Sequence, residues 1–283
     1  MPLQETSRVS ASIISASGAS QSTSTTLRAN SFNLPTVATI PAAVRKVPWN
    51  RRPSSTDTQW VEVSSFATYA CTLTELTTDE TANIQRLVDD TWRDTNTSFG
   101  ADATGLRHKT IKIHRVYDIA NDALERPYLE ALEQSLNNFA LPEEIVSKPI
   151  QTQHVQHGYD QLRHGEVLLF HGAAVDRIDS ILQEGFQLRH SARGLYGHPA
   201  VYLAESAQKA DQYTDGLAAR RTQQLAMLVV RVALGHTEMY ENKAPGVDYD
   251  TIVGGSTSRF REFVKTKAEQ ICPKYIICYD RES

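Results

Sequence analysis

A histidine, a glycine, two tyrosines and a glutamate form an ordered set along this chain. A short apolar run leads directly into His171 and Gly172, and Tyr202, Tyr213 and Glu262 follow His171 by 31, 42 and 91 residues. A glycine at a strand end lets a ligand approach the backbone, whose N–H and C=O can pair with an amide. Two aromatic rings can enclose a flat heteroaromatic ring, and each stacked face contributes about 1–3 kcal/mol. The set therefore suits a ligand with an aromatic ring and an amide.

Each of these residues also has a purely structural interpretation when taken alone. A histidine after an apolar run commonly serves structure, a tyrosine commonly packs in a core, and a glutamate in a strand-like run such as 261–264 is commonly exposed. A carboxylate can nevertheless serve chemistry, because it stabilises positive charge that develops on a bound ligand in a transition state. One preorganised charge of this kind contributes about 10²–10³ in rate. The functional interpretation depends on the whole set.

In its order and spacing, the set resembles the catalytic domain of the poly(ADP-ribose) polymerase family. These are diphtheria-toxin-like ADP-ribosyltransferases that use NAD, and the resemblance covers about residues 78–280. It implies that His171, Tyr202 and Glu262 are the catalytic residues. It further implies that His171 binds the adenosine ribose, that Gly172 holds the nicotinamide amide, and that Tyr202 and Tyr213 lie on either side of the nicotinamide. NAD is then a co-substrate, and no metal is expected.

Further site residues follow from the same resemblance. Lys209 matches a family lysine that contacts the catalytic glutamate. The segment 189–197, with Leu195 and Tyr196, is expected to line the donor pocket and bind NAD. The segment 245–259 is expected to be a short loop that faces the acceptor.

The chain departs from the family pattern in three places. Ala173 stands after His-Gly, where the family has Ser or Thr, and Ala210 stands three residues before Tyr213, where the family has Ser. Each change removes a side-chain hydrogen bond to NAD, nominally about 0.5–1.5 kcal/mol. The turn 197–200 reads Gly-His-Pro-Ala, where the family has Gly-Lys-Gly, with a one-residue insertion. These changes leave open a protein that binds NAD without turning it over.

The elements that must position these residues follow from the hydrophobic pattern. Apolar alternation and short apolar runs predict strands, and 3.6-residue spacing predicts helices. We expect strands at 111–117, 167–170, 200–203, 227–234, 260–264 and 275–279, and helices over 78–92, around 128–136, after the 167–170 strand up to Gly185, and over 207–213. Short strands interleaved irregularly with helices indicate an α+β fold. The resemblance implies the ADP-ribosyltransferase fold, in which two packed mixed or antiparallel sheets with flanking helices surround an NAD cleft.

Composition changes near residue 55 and divides the chain. Between Thr6 and Thr36, 14 of 31 residues are Ser or Thr, and four prolines lie between residues 35 and 53. Such a segment has too few apolar side chains to offset its ordering entropy. We therefore expect residues 1–55 to be a disordered Ser/Thr/Pro-rich tail, or alternatively a targeting segment. Residues 56–283 are expected to be the catalytic domain.

Charge, hydropathy and cysteine count place few further limits. The net charge of -4 gives no general attraction to nucleic acid or an anionic membrane, and no apolar run approaches 18 residues. Three cysteines show no disulfide or metal spacing. We expect an intracellular protein, cytoplasmic or nuclear, with organelle targeting as the alternative and no membrane partner.

The resemblance predicts an NAD-dependent ADP-ribosyltransferase that releases nicotinamide. The expected acceptor is a protein, with nucleic acid as the alternative, and the short layout favours mono- over poly-ADP-ribosylation. Two other functions remain open at this point: a catalytically degenerate module that binds NAD or ADP-ribose, and an NAD glycohydrolase.

Overall fold

The computed structural model describes residues 71–92, 103–155, 162–191, 199–240, 249–255 and 260–283. The predicted tail, 1–55, and the boundary that follows it lie outside the described residues and stay predictions. None of the described helices is both long and apolar enough to cross a membrane.

Nine strands are found among the described residues, and they form one mixed sheet. Their bounds are β1 Thr72–Glu75, β2 Thr110–Ala120, β3 Glu166–Gly172, β4 Val201–Ala204, β5 Leu225–Ala233, β6 Thr237–Met239, β7 Thr251–Gly254, β8 Glu262–Lys265 and β9 Ile271–Glu282. Their order across the sheet is β1-β2-β9-β5-β3-β4-β8-β7-β6. The β6–β7 pair is parallel, and the other neighbours are antiparallel.

The sheet has a weak join between β3 and β4. These strands share one registered pair in the described part of the chain, Phe170↔Ala204, whereas β3 and β5 are paired along seven positions. Five strands lie on one side of the join and four on the other. The two sheets expected from the sequence are thus halves of one hydrogen-bonded sheet, and the join is where the candidate site lies.

Five α-helices flank the described strands. They are α1 Thr78–Thr91, α2 Asp122–Leu136, α3 Glu143–Ser147, α4 Val175–Glu184 and α5 Ala207–Asp211. Thr77 and Glu80 form a capping box at the start of α1, and the Asn121 side chain caps α2. Gly185 ends α4 with a φ of 72°, a conformation that favours glycine.

The core lies on both faces of the central strands. Along β3, Val167 and Leu169 belong to one buried cluster, and Leu168 and Phe170 belong to another on the opposite face. Continuous burial on both faces explains why β3 reads as an uninterrupted apolar run rather than an alternating one. It also places His171 and Gly172 at the end of a rigid element.

The predicted α+β class is confirmed, and each predicted strand and helix is present. Helix α2 begins earlier than expected because Asn121 caps it, and α5 ends at Asp211, where a turn carries the chain on to Tyr213. The interpretation of 245–259 as a loop was wrong in part. Residues Thr251–Gly254 form β7, a buried strand whose backbone pairs with β6 on one side and β8 on the other.

Candidate active site

His171 bridges the weak join between the two halves of the sheet. Its Nδ1 lies 3.0 Å from the carbonyl oxygen of Tyr202 on β4, and its ring meets Phe186 edge-on at 5.0 Å between centroids. A carbonyl only accepts, so Nδ1 carries the proton and the lone pair of the neutral ring lies on Nε2. Burial lowers the pKa of His171, although the bond to Tyr202 acts in the opposite direction. The imidazole is therefore held neutral, with Nε2 as an acceptor suited to a ribose hydroxyl.

Gly172 brings helix α5 against the end of β3. A β-carbon at Gly172 would lie 1.8 Å from the carbonyl oxygen of Ala210 and 3.2 Å from the β-carbon of Tyr213. No side chain fits in that space. The glycine is thus required by close packing, and this packing places Tyr213 beside the strand end.

Tyr202 and Glu262 lie on the same face of the β4–β8 pair. Glu262 is registered opposite Ala204, and Tyr202 is two residues before Ala204 on the same strand. Side chains two apart on a strand, and side chains directly opposite across a pair, share one face of the sheet. The ring of Tyr202 packs on a small apolar cluster made by Ala200, Ile252 and Val264. This cluster supports the ring on the face that carries the carboxylate.

Lys209 on α5 connects Glu262 to Tyr213. Its Nζ lies 3.3 Å from Oε1 of Glu262 and donates to the hydroxyl of Tyr213 at 2.7 Å. Both partners of the ion pair are largely buried, with 15% of the lysine and 20% of the glutamate side chain exposed. Tyr213 is more open, at 39%. A carboxylate, an ammonium group and an accessible aromatic ring therefore meet in one place.

A buried polar network anchors α5 and the turn after it to the last strand. Arg281 on β9 donates through Nε to both carboxylate oxygens of Asp211, at 3.0 and 3.1 Å, and through its other nitrogens to Asp215. The Tyr279 hydroxyl also donates to Asp211, at 2.5 Å. Burial alone would lower the pKa of Arg281, but the two carboxylates raise it, so the guanidinium stays charged. Sequence analysis missed this network, since its partners lie about 70 residues apart.

A second ion pair borders Glu262, and it too was missed. Arg261, the residue before Glu262, forms a two-pronged ion pair with Glu205, the residue after β4, with nitrogen–oxygen distances of 2.7 and 2.5 Å. Only 13% of the arginine and 2% of the glutamate side chain is exposed. A signal was present in the sequence, since a charged residue adjoins each of two predicted strands.

Two predicted NAD-binding residues, Leu195 and Tyr196, lie outside the described residues. So do most of the segment 189–197 and the first half of the turn 197–200. In the described part of the chain, no group of three or more His, Cys, Asp or Glu side chains could hold a metal ion.

Ala173 and Ala210, the two alanines at positions where the family pattern has a hydroxyl side chain, lie beside the end of β3. Ala210 is buried on α5, directly against Gly172, and Ala173 follows Gly172 and is partly buried. Neither side chain can donate a hydrogen bond. The backbone scaffold at Gly172 is therefore present without these two hydroxyl groups.

The family model for the poly(ADP-ribose) polymerase catalytic domain matches residues 92–273. This chain belongs to that family. The match spans most of the chain and includes the candidate site residues from His171 to Glu262, whereas Tyr279 and Arg281 of the supporting network lie beyond it. Membership implies NAD-dependent ADP-ribosyltransferase activity in general, with NAD as co-substrate. The observed α+β architecture with its mixed sheet is consistent with the poly(ADP-ribose) polymerase fold.

Proposed function

We propose that this poly(ADP-ribose) polymerase domain is catalytically competent and transfers single ADP-ribose units from NAD to a protein acceptor. The observation that supports this most strongly is the contact chain from Tyr213 through Lys209 to Glu262. The chain gives the carboxylate a buried cationic partner and leaves the tyrosine ring accessible to a ligand. An arrangement that served packing alone would not require a charged pair beside an accessible aromatic ring.

Each residue then has a distinct task in the proposed reaction. The backbone of Gly172 holds the amide of nicotinamide, and the rings of Tyr202 and Tyr213 enclose the nicotinamide. Nε2 of His171 accepts a hydrogen bond from the adenosine ribose. Glu262 holds a hydroxyl of the nicotinamide ribose and stabilises the positive charge that develops there as nicotinamide leaves.

A protein side chain is the proposed acceptor, and a nucleic-acid end is the alternative that the test must separate. A net charge of -4 gives no general attraction to a polyanion, which favours protein. Transfer of single units is the proposal, and polymer formation is the alternative that the same test must separate.

The decisive test uses Glu262→Gln, which keeps the shape of the side chain and removes its charge. NAD labelled in the adenosine is supplied, and label is followed into protein, nucleic acid and free ADP-ribose. Turnover is expected to fall by about 10²–10³ while the Kd for NAD changes little, because the charge acts mainly in the transition state. Glu133→Gln, which alters an exposed carboxylate on α2, is the matched control and should leave turnover unchanged.

Other outcomes would assign other functions. Ala173 and Ala210 favour a module that binds NAD without cleaving it, and a wild-type protein that binds NAD without turnover would establish that function. Label in free ADP-ribose alone would identify a glycohydrolase. Polymer in the wild type that becomes single units in Glu262→Gln would assign Glu262 to chain elongation and contradict the single-unit proposal.

A further inference from the structure

Glu205 and Arg261 occupy a special position in the β4–β8 ladder. The registered pairs run from Val201↔Lys265 to Ala204↔Glu262. One further step along the same register places Glu205 opposite Arg261. Backbone pairing of these strands ends at Glu262, and the ion pair continues the ladder with side chains.

The ion pair lies on the face opposite to the candidate catalytic carboxylate. Successive residues in a strand point to opposite faces. Arg261 lies one residue before β8 and Glu205 one residue after β4, so extending this alternation by one step turns them away from Glu262 and Ala204. The guanidinium is also fully engaged away from the site. Besides both oxygens of Glu205, it donates to the carbonyls of Lys148 at 2.6 Å and Pro149 at 2.9 Å. Arg261 thus acts on the carboxylate through the backbone.

Register decides where Glu262 points. A slip of one residue between β4 and β8 would turn Glu262 to the other face, away from Tyr202 and Lys209. A planar guanidinium bound by two parallel hydrogen bonds has one geometry, unlike a single-point ion pair. Glu205 also accepts from the backbone N–H of Gln151, which fixes the glutamate to the chain after α3. The pair is therefore built to resist both slippage and fraying at the start of β8.

We propose that Glu205 and Arg261 form a positioning pair that fixes the register of β8 and thereby aims Glu262 at the reacting ribose. The inference rests on the proposed function, since it assigns Glu262 to the chemical step. Neither residue of the pair is a catalytic residue, because both act through the position of Glu262. The competing interpretation is that the pair only stabilises the fold, with register fixed by the β7–β8 pair Gly254↔Glu262.

The test compares this pair with a matched pair elsewhere in the sheet. Arg261→Gln and Glu205→Gln remove the charges, and Arg261→Lys keeps the charge but loses the two-pronged geometry. Arg231 and Glu166 form the control pair, with a nitrogen–oxygen distance of 2.7 Å and 15% and 1% of the side chains exposed. They lie on β5 and β3 and touch none of the proposed site residues. Arg231→Gln should lower the melting temperature as Arg261→Gln does, without changing kcat.

Four quantities are measured for each variant: melting temperature, kcat, KM for NAD, and Kd for nicotinamide. For Arg261→Gln we expect kcat to fall by about tenfold to a hundredfold, the usual effect of misplacing a catalytic group by about 1 Å. KM and the nicotinamide Kd should stay within about twofold, because the residues proposed to hold the nicotinamide lie on β3, on β4 and in the turn after α5, and none of them lies on β8. Arg261→Lys should recover part of the lost kcat. A folded Arg261→Gln with wild-type kcat, or an equal loss of kcat in Arg231→Gln, would overturn the proposal.

A structural readout separates this inference from the proposed function. In a crystal structure of Arg261→Gln, we expect the Lys209–Glu262 separation of 3.3 Å to lengthen beyond ion-pair contact. Unchanged geometry would overturn the positioning pair, whether or not the wild-type protein turns NAD over. Absence of turnover in the wild-type protein would refute only the proposed function. If Arg261→Gln does not fold, Arg261→Lys and Glu205→Gln decide by the same criteria, because each keeps part of the hydrogen bonding.

Discussion

Gly172→Ala is the most direct test of how the site is assembled. The added methyl group would lie 1.8 Å from the carbonyl oxygen of Ala210 and 2.8 Å from its carbonyl carbon. Ordinary contact requires roughly 3.5 Å, so α5 would have to withdraw by roughly 1.5 Å. Both contacts are to backbone, so no side chain can rotate away. Helix α5 carries Lys209 and precedes Tyr213, so both would move away from Glu262 and the strand end.

Overpacking of this kind lowers the free energy of unfolding by about 1–3 kcal/mol. A 1 Å misplacement of catalytic groups lowers turnover by about a hundredfold. The assay measures unfolding in urea, NAD turnover and nicotinamide binding, and both activity and binding should fall. Gly216→Ala is the matched control, because Gly216 is exposed and an added methyl group meets nothing within 4 Å. Wild-type turnover and nicotinamide binding in Gly172→Ala would refute the packing of α5 against β3.

Two further predictions concern buried charge. Burial lowers the pKa of Lys265 from 10.5 to about 7, so between about pH 7 and pH 10.5 the unfolded chain holds a proton that the folded chain does not. The free energy of unfolding should therefore rise with pH across this window, by up to about 1.4 kcal/mol per unit. Urea unfolding of Lys265→Met should lack that slope, and an equal slope in both proteins would contradict the assignment. Arg281→Met should lower the free energy of unfolding by about 3–5 kcal/mol, because the buried Asp211 carboxylate loses its arginine partner and keeps only His108 and Tyr279. Nicotinamide binding should weaken as well, since the turn that carries Tyr213 loses its anchor, and unchanged unfolding would show that the network adds no stability.

The elements that could be predicted from sequence are those with a strong local signal. β3 and β5 lie centrally in the sheet and are buried on both faces, so each contains an apolar run, of four residues in β3 and of six in β5 before Arg231. Gly185 ends α4 through a conformation that favours glycine, which is also a local property. Strands β6 and β7 have three and four residues, and their pairing joins distant segments, so the pattern at 245–259 gave no sign of β7.

Site residues with a recognisable spacing could be predicted, whereas their supports could not. The spacing of His171, Tyr202 and Glu262 carried the family resemblance. The bond from His171 to the carbonyl of Tyr202, however, depends on backbone placement across the join, which no side-chain pattern reports. The burial of Lys265 could not be predicted from its residue type. A lysine beside a predicted strand is expected to be exposed, yet this one is fully buried, with Nζ donating to the carbonyl of Ala233 at 2.6 Å.

Two features of the site affect different steps of the proposed reaction. One is the loss of hydroxyl groups at Ala173 and Ala210, and the other is the Lys209–Glu262 ion pair. A missing hydroxyl group weakens NAD in the ground state and in the transition state alike, by about 0.5–1.5 kcal/mol for each group, and this raises KM without lowering kcat. The Lys209–Glu262 pair acts mainly where charge develops on the ribose, and therefore on kcat. Weak NAD binding would accordingly be compatible with full turnover at saturating NAD. Loss of kcat at saturating NAD would therefore count against catalysis, whereas a raised KM would not. Activity must accordingly be measured at saturating NAD.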